Sequence, residues 1–267
     1  MSYIVDKVIT NEFIMPYIKF GSGEKTLVII PGLSVQSVIP SAPAIENQYK
    51  IFSKDFTVYL FDRREDMPEE YSVFDMACDT AKAIKELDLS GICLFGVSQG
   101  GMIAMIIAAE HPKLVSKLAL GSTTAYVVES SGEVLKKWAD FAKEGNAEKL
   151  YLSFGEKLYP KEFFERYRFA FVKISKTVTE SDMKRFLTLV KGNEGFDFRD
   201  RITNIQCPVL AIGDTCDNVL SADSTPKIAE LFKNNPDFEM YMYSGYGHAV
   251  YDTAPDYTKR LYLFFTK

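Results

Sequence analysis

Histidine is the scarcest chemically versatile residue in this sequence: its 267 residues hold only His111 and His248, alongside four cysteines and one tryptophan. Cys78, Cys93, Cys207 and Cys216 are scattered, with neither C-x-x-C spacing nor a neighbouring histidine. Neither a zinc site nor a disulfide framework follows from such a set, and no metal or cofactor is expected. Cys93 and Cys207 lie in apolar runs, where a thiol acts as a small buried hydrophobe. An excess of positive charge is missing too: 31 Lys and Arg face 36 Asp and Glu, a formal net charge of −5. This disfavours nucleic acid or an anionic membrane as partner. No run approaches the roughly 20 apolar residues of a membrane span; the longest in the central region is Met102–Ala109. The opening MSYIVDKVITNEFIMPYIKF shows no basic leader with an apolar core and no small-residue cleavage site, so a cytoplasmic location is expected.

What is present has the balance of an ordinary globular protein, 47% hydrophobic and 25% charged. The first twenty residues alternate weakly on either side of Thr10-Asn11-Glu12, which predicts an antiparallel hairpin ending at Gly21-Ser22-Gly23. Thereafter come short, continuously apolar runs: Leu27–Ile30, Phe56–Phe61, Ile92–Val97, Val115–Leu120, Val209–Ile212 and Phe238–Tyr243. Such runs suit strands buried on both faces of a parallel sheet. Helical patterns separate most of them, marked by Ala77, Ala81, Ile84 and Leu87, by Met102–Ala109 before His111-Pro112, by Ile228–Phe232 and by Tyr257–Phe264. The alternation predicts an α/β fold with a mainly parallel central sheet flanked by helices.

The rhythm breaks over residues 123–199, where Glu133–Lys143, Ala147–Phe154, Lys161–Lys173 and Glu180–Lys191 read as four helices and no strand is apparent. An inserted helical cap over 123–199 is therefore expected, with residues 1–122 and 200–267 forming the core. The cap is rich in aromatics, among them Trp138, Phe154, Phe163, Tyr167, Phe169 and Phe186. They suit either an apolar acyl or aryl pocket or the packing of the cap's own helices. Arg166 and Arg168 offer carboxylate recognition or a solvated helix face.

Between the run ICLFGV and the helix-forming MIAMIIAAE stands Gly96-Val97-Ser98-Gln99-Gly100. The G-x-S-x-G pattern at a strand-to-helix junction reads as a nucleophile elbow, in which glycine two positions either side of the serine avoids a clash with crossing backbone. Ligands of open α/β sheets bind beyond the C-terminal ends of the strands, and three other runs end there in suitable residues. Pro31-Gly32-Leu33-Ser34 is a tight turn with backbone N–H groups for an oxyanion. Gly213-Asp214-Thr215-Cys216-Asp217 carries two carboxylates, and Ser244-Gly245-Tyr246-Gly247-His248 carries an imidazole.

These residue types fit acyl transfer. Serine needs a base to take its proton, imidazole can do so at neutral pH, and a carboxylate fixes the imidazole tautomer. Ser98 and His248 are the candidate nucleophile and base, with the Leu33 and Gln99 backbone N–H groups as oxyanion donors. His111, ahead of Pro112 at a helix end, reads as a capping residue. For the acid, Asp217 lies farther into its loop, where it can reach back to His248; Asp214, directly at the strand end, is the alternative and otherwise braces the turn.

The strand-PGL turn, the FGVSQGG elbow, the PVLAIGDTCDNV acid loop and the GYGHAVYD histidine loop, in this order, resemble the α/β-hydrolase superfamily over nearly the whole chain. The turn has Pro-Gly-Leu where relatives often carry a His-Gly pair, and the acid loop is one residue longer than the usual G-x-x-D. The resemblance implies a cofactor-independent, esterase-like serine hydrolase with a Ser98-Asp217-His248 triad acting on small acyl compounds. An acyltransferase using the same acyl-enzyme, or a non-catalytic ligand-binding protein of the same fold, is the alternative.

Overall fold

The computed structural model describes residues 3–267; Met1 and Ser2, the start of the segment read above for a leader, lie outside the described residues. The chain enters through the expected hairpin, β1 (Ile4–Ile9) and β2 (Ile14–Phe20), which is antiparallel with Ile4 opposite Lys19. It continues through β3 (Lys25–Ile30), α1 (Ala42–Gln48), β4 (Phe56–Phe61), α2 (Val73–Glu86), β5 (Ile92–Val97), α3 (Gln99–Glu110) and β6 (Val115–Gly121). Four helices follow: α4 (Glu129–Lys143), α5 (Ala147–Leu158), α6 (Lys161–Ser175) and α7 (Glu180–Lys191). The chain then returns through β7 (Val209–Asp214), α8 (Ser224–Leu231), β8 (Phe238–Tyr243), α9 (Val250–Thr253) and α10 (Tyr257–Thr266).

The strands form one eight-stranded sheet in the order β1-β2-β4-β3-β5-β6-β7-β8. All pairings beyond the two made by β2 are parallel. Every residue of β5 and β7 is buried, which is why these strands are unbroken apolar runs; β8, at the edge, is mostly part-exposed. Two apolar clusters pack the two sides of the sheet. One joins Leu94 and Leu118 to Met105 and Ile106 of α3, and the other joins Phe95 and Ile212 to Tyr257 and Leu261 of α10. No helix among the described residues is long and apolar enough to cross a membrane.

Four local readings change. Helix α4 starts at Glu129 rather than Glu133, because extended Val128 ends the preceding loop and the Glu129 carboxylate complements the helix N-terminus. A single bridge, Tyr126 to Asp197, joins the two ends of the 123–199 segment, where no pairing was expected. Helix α1 had no counterpart in the sequence reading; it is short, and Pro43 sits in its first turn, where a missing N–H costs nothing. Cys93 is buried as expected, whereas Cys207 is only part-buried; all four thiols are free.

Candidate active site

Ser98 sits between β5 and α3 with φ 52° and ψ −122°, a backbone conformation that a side-chain-bearing residue rarely adopts. Its surroundings hold it there. The Ser98 N–H donates to Gly121 O at 2.9 Å, while its carbonyl accepts from Gly101 N at 2.9 Å and Thr123 Oγ1 at 2.7 Å. Local strain of this kind persists only when the surrounding bonds over-determine it, and it places the hydroxyl proud of the sheet. The flanking glycines have a measurable reason. A Cβ on Gly96 would lie 2.3 Å from Gly100 O, and one on Gly100 would lie 2.1 Å from Ile30 O.

His248 Nε2 stands 3.1 Å from Ser98 Oγ, and His248 Nδ1 stands 2.8 Å from Asp217 Oδ2. An ionised carboxylate only accepts, so the second contact requires a proton on Nδ1 and leaves Nε2 as acceptor for the Ser98 hydroxyl. The other Asp217 oxygen accepts from Val219 N at 2.8 Å and Leu220 N at 3.0 Å. Burial acts to raise the Asp217 pKa, but the His248 ring and these backbone N–H groups outweigh it and hold the carboxyl below its usual range.

Asp214 has a different position. Its Oδ1 accepts from Cys216 N at 2.7 Å and its Oδ2 from Tyr246 N at 3.0 Å, tying the acid loop to the histidine loop. Among the described residues it makes no hydrogen bond with His248, so the two aspartates divide into one that meets the imidazole and one that braces its loop. The histidine loop is also fixed to the end of α5, where Ala249 N donates to Leu158 O at 3.0 Å. Gly247, at φ 75°, permits that approach, since a Cβ there would stand 2.8 Å from the same oxygen. His111 caps the far end of α3, roughly 18 Å from the elbow at 1.5 Å per residue, beside Lys85 Nζ at 3.3 Å.

The Pro31-Gly32-Leu33 turn lies against the elbow, with a Cβ on Gly32 falling 3.1 Å from Ser98 Cβ. Neither the Leu33 nor the Gln99 N–H donates to a backbone carbonyl among the described residues, and both residues border the same cavity as Ser98 and His248. That cavity is narrow, ≈ 30 Å³, with Leu33, Met102, Leu135, Trp138, Phe154 and Leu158 supplying apolar walls and no Asp, Glu, Lys or Arg among its lining residues. Trp138 and Phe154 serve both roles weighed for the cap aromatics: their rings pack at 4.0 Å and also face the cavity. Phe169 is 79% exposed and takes neither role. Arg166 and Arg168 are exposed on α6, where Arg168 pairs with Glu165 and lies over the Phe164 ring; neither lines the cavity.

Sequence reasoning missed a buried polar group behind the turn. Asp62 and Arg63, at the end of β4, are 2% and 3% exposed, and Arg185 of α7 pairs with Asp62 at 2.7 Å. Burial pulls the Arg63 guanidinium down to about 10, with Asp62 and Tyr71 acting in the opposite direction, so it stays charged at neutral pH. A larger groove of ≈ 650 Å³ borders Asp62, Arg63 and Arg185, but it holds none of Ser98, Asp217 and His248. In sequence Asp62 and Arg63 sit in the charged stretch FDRRED, far from Arg185, and nothing local marks the three as a buried group.

The serine elbow, parallel sheet and convergent loops match what sequence comparison finds, for residues 25–255 fit the alpha/beta hydrolase fold family. The chain belongs to that family. Mouse serine hydrolase BPHL is 26% identical over 217 residues, covering 77% of this chain and 68% of that protein. The putative carbamate hydrolase RutD of Serratia proteamaculans is 23% identical over 222 residues, covering 77% of this chain and 80% of its own. Among solved structures, the enol-lactonase of Burkholderia xenovorans LB400 superposes with a TM-score of 0.84 at 19% identity, covering 98% of this chain and 100% of that one. At that identity the likeness is one of fold.

Proposed function

We propose that this chain is a serine hydrolase acting on small, uncharged carboxylic esters or related acyl compounds through an acyl-enzyme on Ser98. The observation that carries this reading is the continuous line Asp217–His248–Ser98, with contacts of 2.8 and 3.1 Å. Membership of a hydrolase family and relatives named serine hydrolase, carbamate hydrolase and esterase/lipase support the class of reaction.

The chemistry follows from the residues. Ser98 Oγ attacks the acyl carbon while His248 Nε2 takes its proton, and the carbonyl electron pair moves onto oxygen, where the Leu33 and Gln99 N–H groups receive it. One such donor is typically worth roughly 3 to 4 kcal/mol of barrier. Asp217 keeps the proton on Nδ1 and stabilises the imidazolium. Collapse breaks the bond to the alcohol, which leaves with the Nε2 proton. A water molecule then repeats the sequence on the acyl-enzyme: His248 takes its proton, the acid is released and the Ser98 hydroxyl is restored.

The cavity supports a small, uncharged substrate. Its ≈ 30 Å³, bordered by Trp138, Phe154 and Leu158, is room for about two waters and favours a short acyl group. Its uncharged lining disfavours a charged acyl group, which would be desolvated without a partner. The test is labelling with a fluorophosphonate followed by peptide mass spectrometry, together with rates on esters of graded length and charge. The expected result is one adduct, on Ser98, and a preference for short neutral acyl groups. Folded protein that carries no adduct on Ser98 and cleaves none of the esters would overturn the reading.

A further inference from the structure

Both segments that supply the proposed oxyanion donors end on one buried cation. Arg63 directs Nη2 to the Pro31 carbonyl oxygen at 2.9 Å and to Gln99 Oε1 at 3.2 Å. Pro31 opens the turn that carries the Leu33 N–H, and Gln99 itself carries the other N–H. One planar, rigid guanidinium therefore spans the two pieces whose separation defines the oxyanion position. The rest of the turn is held from the cap side. Arg185 of α7 donates from Nη1 to Ser34 O at 2.9 Å and from Nη2 to Asp62 Oδ1 at 2.7 Å. Asp62 in turn accepts from Val38 N at 3.2 Å. A second tie to the same helix runs through Gln99, whose Nε2 donates to Leu189 O at 2.7 Å.

Stability alone does not account for this arrangement. Arg63 Nε is buried with no hydrogen-bond partner among the described residues, and a buried ion is often replaced by an apolar side chain of similar size at no cost to stability. What an apolar side chain cannot do is bridge two acceptors. Resting on the acyl-enzyme reading above, we infer that Arg63 is a positioning residue for the oxyanion site, and that Arg185 makes the setting of that site depend on a seated cap.

The experiment compares wild type, Arg63→Met, Arg63→Ala and Arg185→Met, with rates expressed per serine titrated by a fluorophosphonate. In Arg63→Met, kcat falls by ~10- to 100-fold with KM within about threefold, as expected when donors are displaced by a fraction of an ångström rather than deleted. Affinity for a trifluoromethyl ketone, whose adduct with Ser98 bears the oxyanion, falls by the same factor as kcat/KM. Added guanidinium restores part of the Arg63→Ala rate, since Arg63 borders the open groove of ≈ 650 Å³, and tetramethylammonium, a cation with no N–H to donate, does not. Arg185→Met moves kcat and ketone affinity the same way, by less. Should Arg63→Met not fold, Arg63→Leu carries the same measurements. Wild-type kcat and ketone affinity in the folded Arg63 variant would overturn the inference, as would a loss of kcat with ketone affinity unchanged. A wild-type protein without Ser98 labelling would instead remove the underlying reading.

Discussion

Replacing Asp217 by asparagine exchanges one oxygen for an NH₂ and, on this geometry, reverses both hydrogen bonds of the His248 ring. Oδ1 accepts two backbone N–H groups, from Val219 at 2.8 Å and Leu220 at 3.0 Å, while Oδ2 meets His248 Nδ1 at 2.8 Å. Asparagine has only one oxygen to share between these positions. Turning its NH₂ toward Val219 and Leu220 would set donor against donor twice, at roughly 1–3 kcal/mol each, so the oxygen stays with the backbone and the NH₂ faces Nδ1. The ring proton then moves to Nε2, which stands 3.1 Å from Ser98 Oγ and can no longer accept its hydrogen. Turnover should fall by ~10⁴-fold, the scale of a wrong-tautomer defect, or about 5.5 kcal/mol of barrier. Initial rates on a short chromogenic ester, with Ser98→Ala as the floor, measure this, and the melting temperature should move little because both backbone bonds survive. Asp214→Asn is the contrast. It sets an amide N–H against Cys216 N or Tyr246 N, which costs about 1–3 kcal/mol of stability, while turnover stays within ~10-fold because His248 is untouched. Near-normal turnover in Asp217→Asn, or a collapse confined to Asp214→Asn, would refute the assignment of the acid.

Three further predictions concern stability. Gly100→Ala places a Cβ 2.1 Å from Ile30 O and 2.5 Å from Pro31 O, neither of which can yield, so it should cost about 3 kcal/mol and abolish Ser98 labelling. Gly132→Ala in α4 meets nothing within 4 Å and should raise stability by about 0.5–1 kcal/mol in the same melting assay. Tyr49 and Tyr257 have phenols pushed well above their ordinary value, by burial first, with Asp252 adding to it. Their protonated forms are thus favoured by folding; the contribution is complete below pH ~10 and is lost as pH rises, because the unfolded chain sheds these protons first. At pH 11 each should subtract about 1.4 kcal/mol, and Phe replacements at both positions should flatten the fall in melting temperature above pH 10.

The features legible in the sequence are those in which one physical demand writes itself into adjacent residues. β5 and β7 are buried on both faces and so had to be continuous apolar runs, and the elbow had to carry glycine where Gly100 O and Ile30 O pass within 2.3 and 2.1 Å of a would-be Cβ. The choice between Asp214 and Asp217 was less legible because both are loop carboxylates a few residues apart. What separates them is which oxygens are already filled by backbone N–H groups, and that depends on Tyr246, 32 residues away. The aromatic cap shows the same limit, since composition makes Trp138 and Phe169 alike, yet one is 2% and the other 79% exposed. Least legible was the Asp62–Arg63–Arg185 group, whose ion pair joins residues 123 apart in the chain. Charged side chains in a loop ordinarily stay in water, and only the chain's return through α7 buries these. A charge whose burial is enforced by so distant a segment leaves no local pattern. The meeting of Ser98 with His248 could therefore be anticipated from sequence, whereas the charged group that ties Pro31 and Ser34 to α7 emerges only once that helix packs beside them.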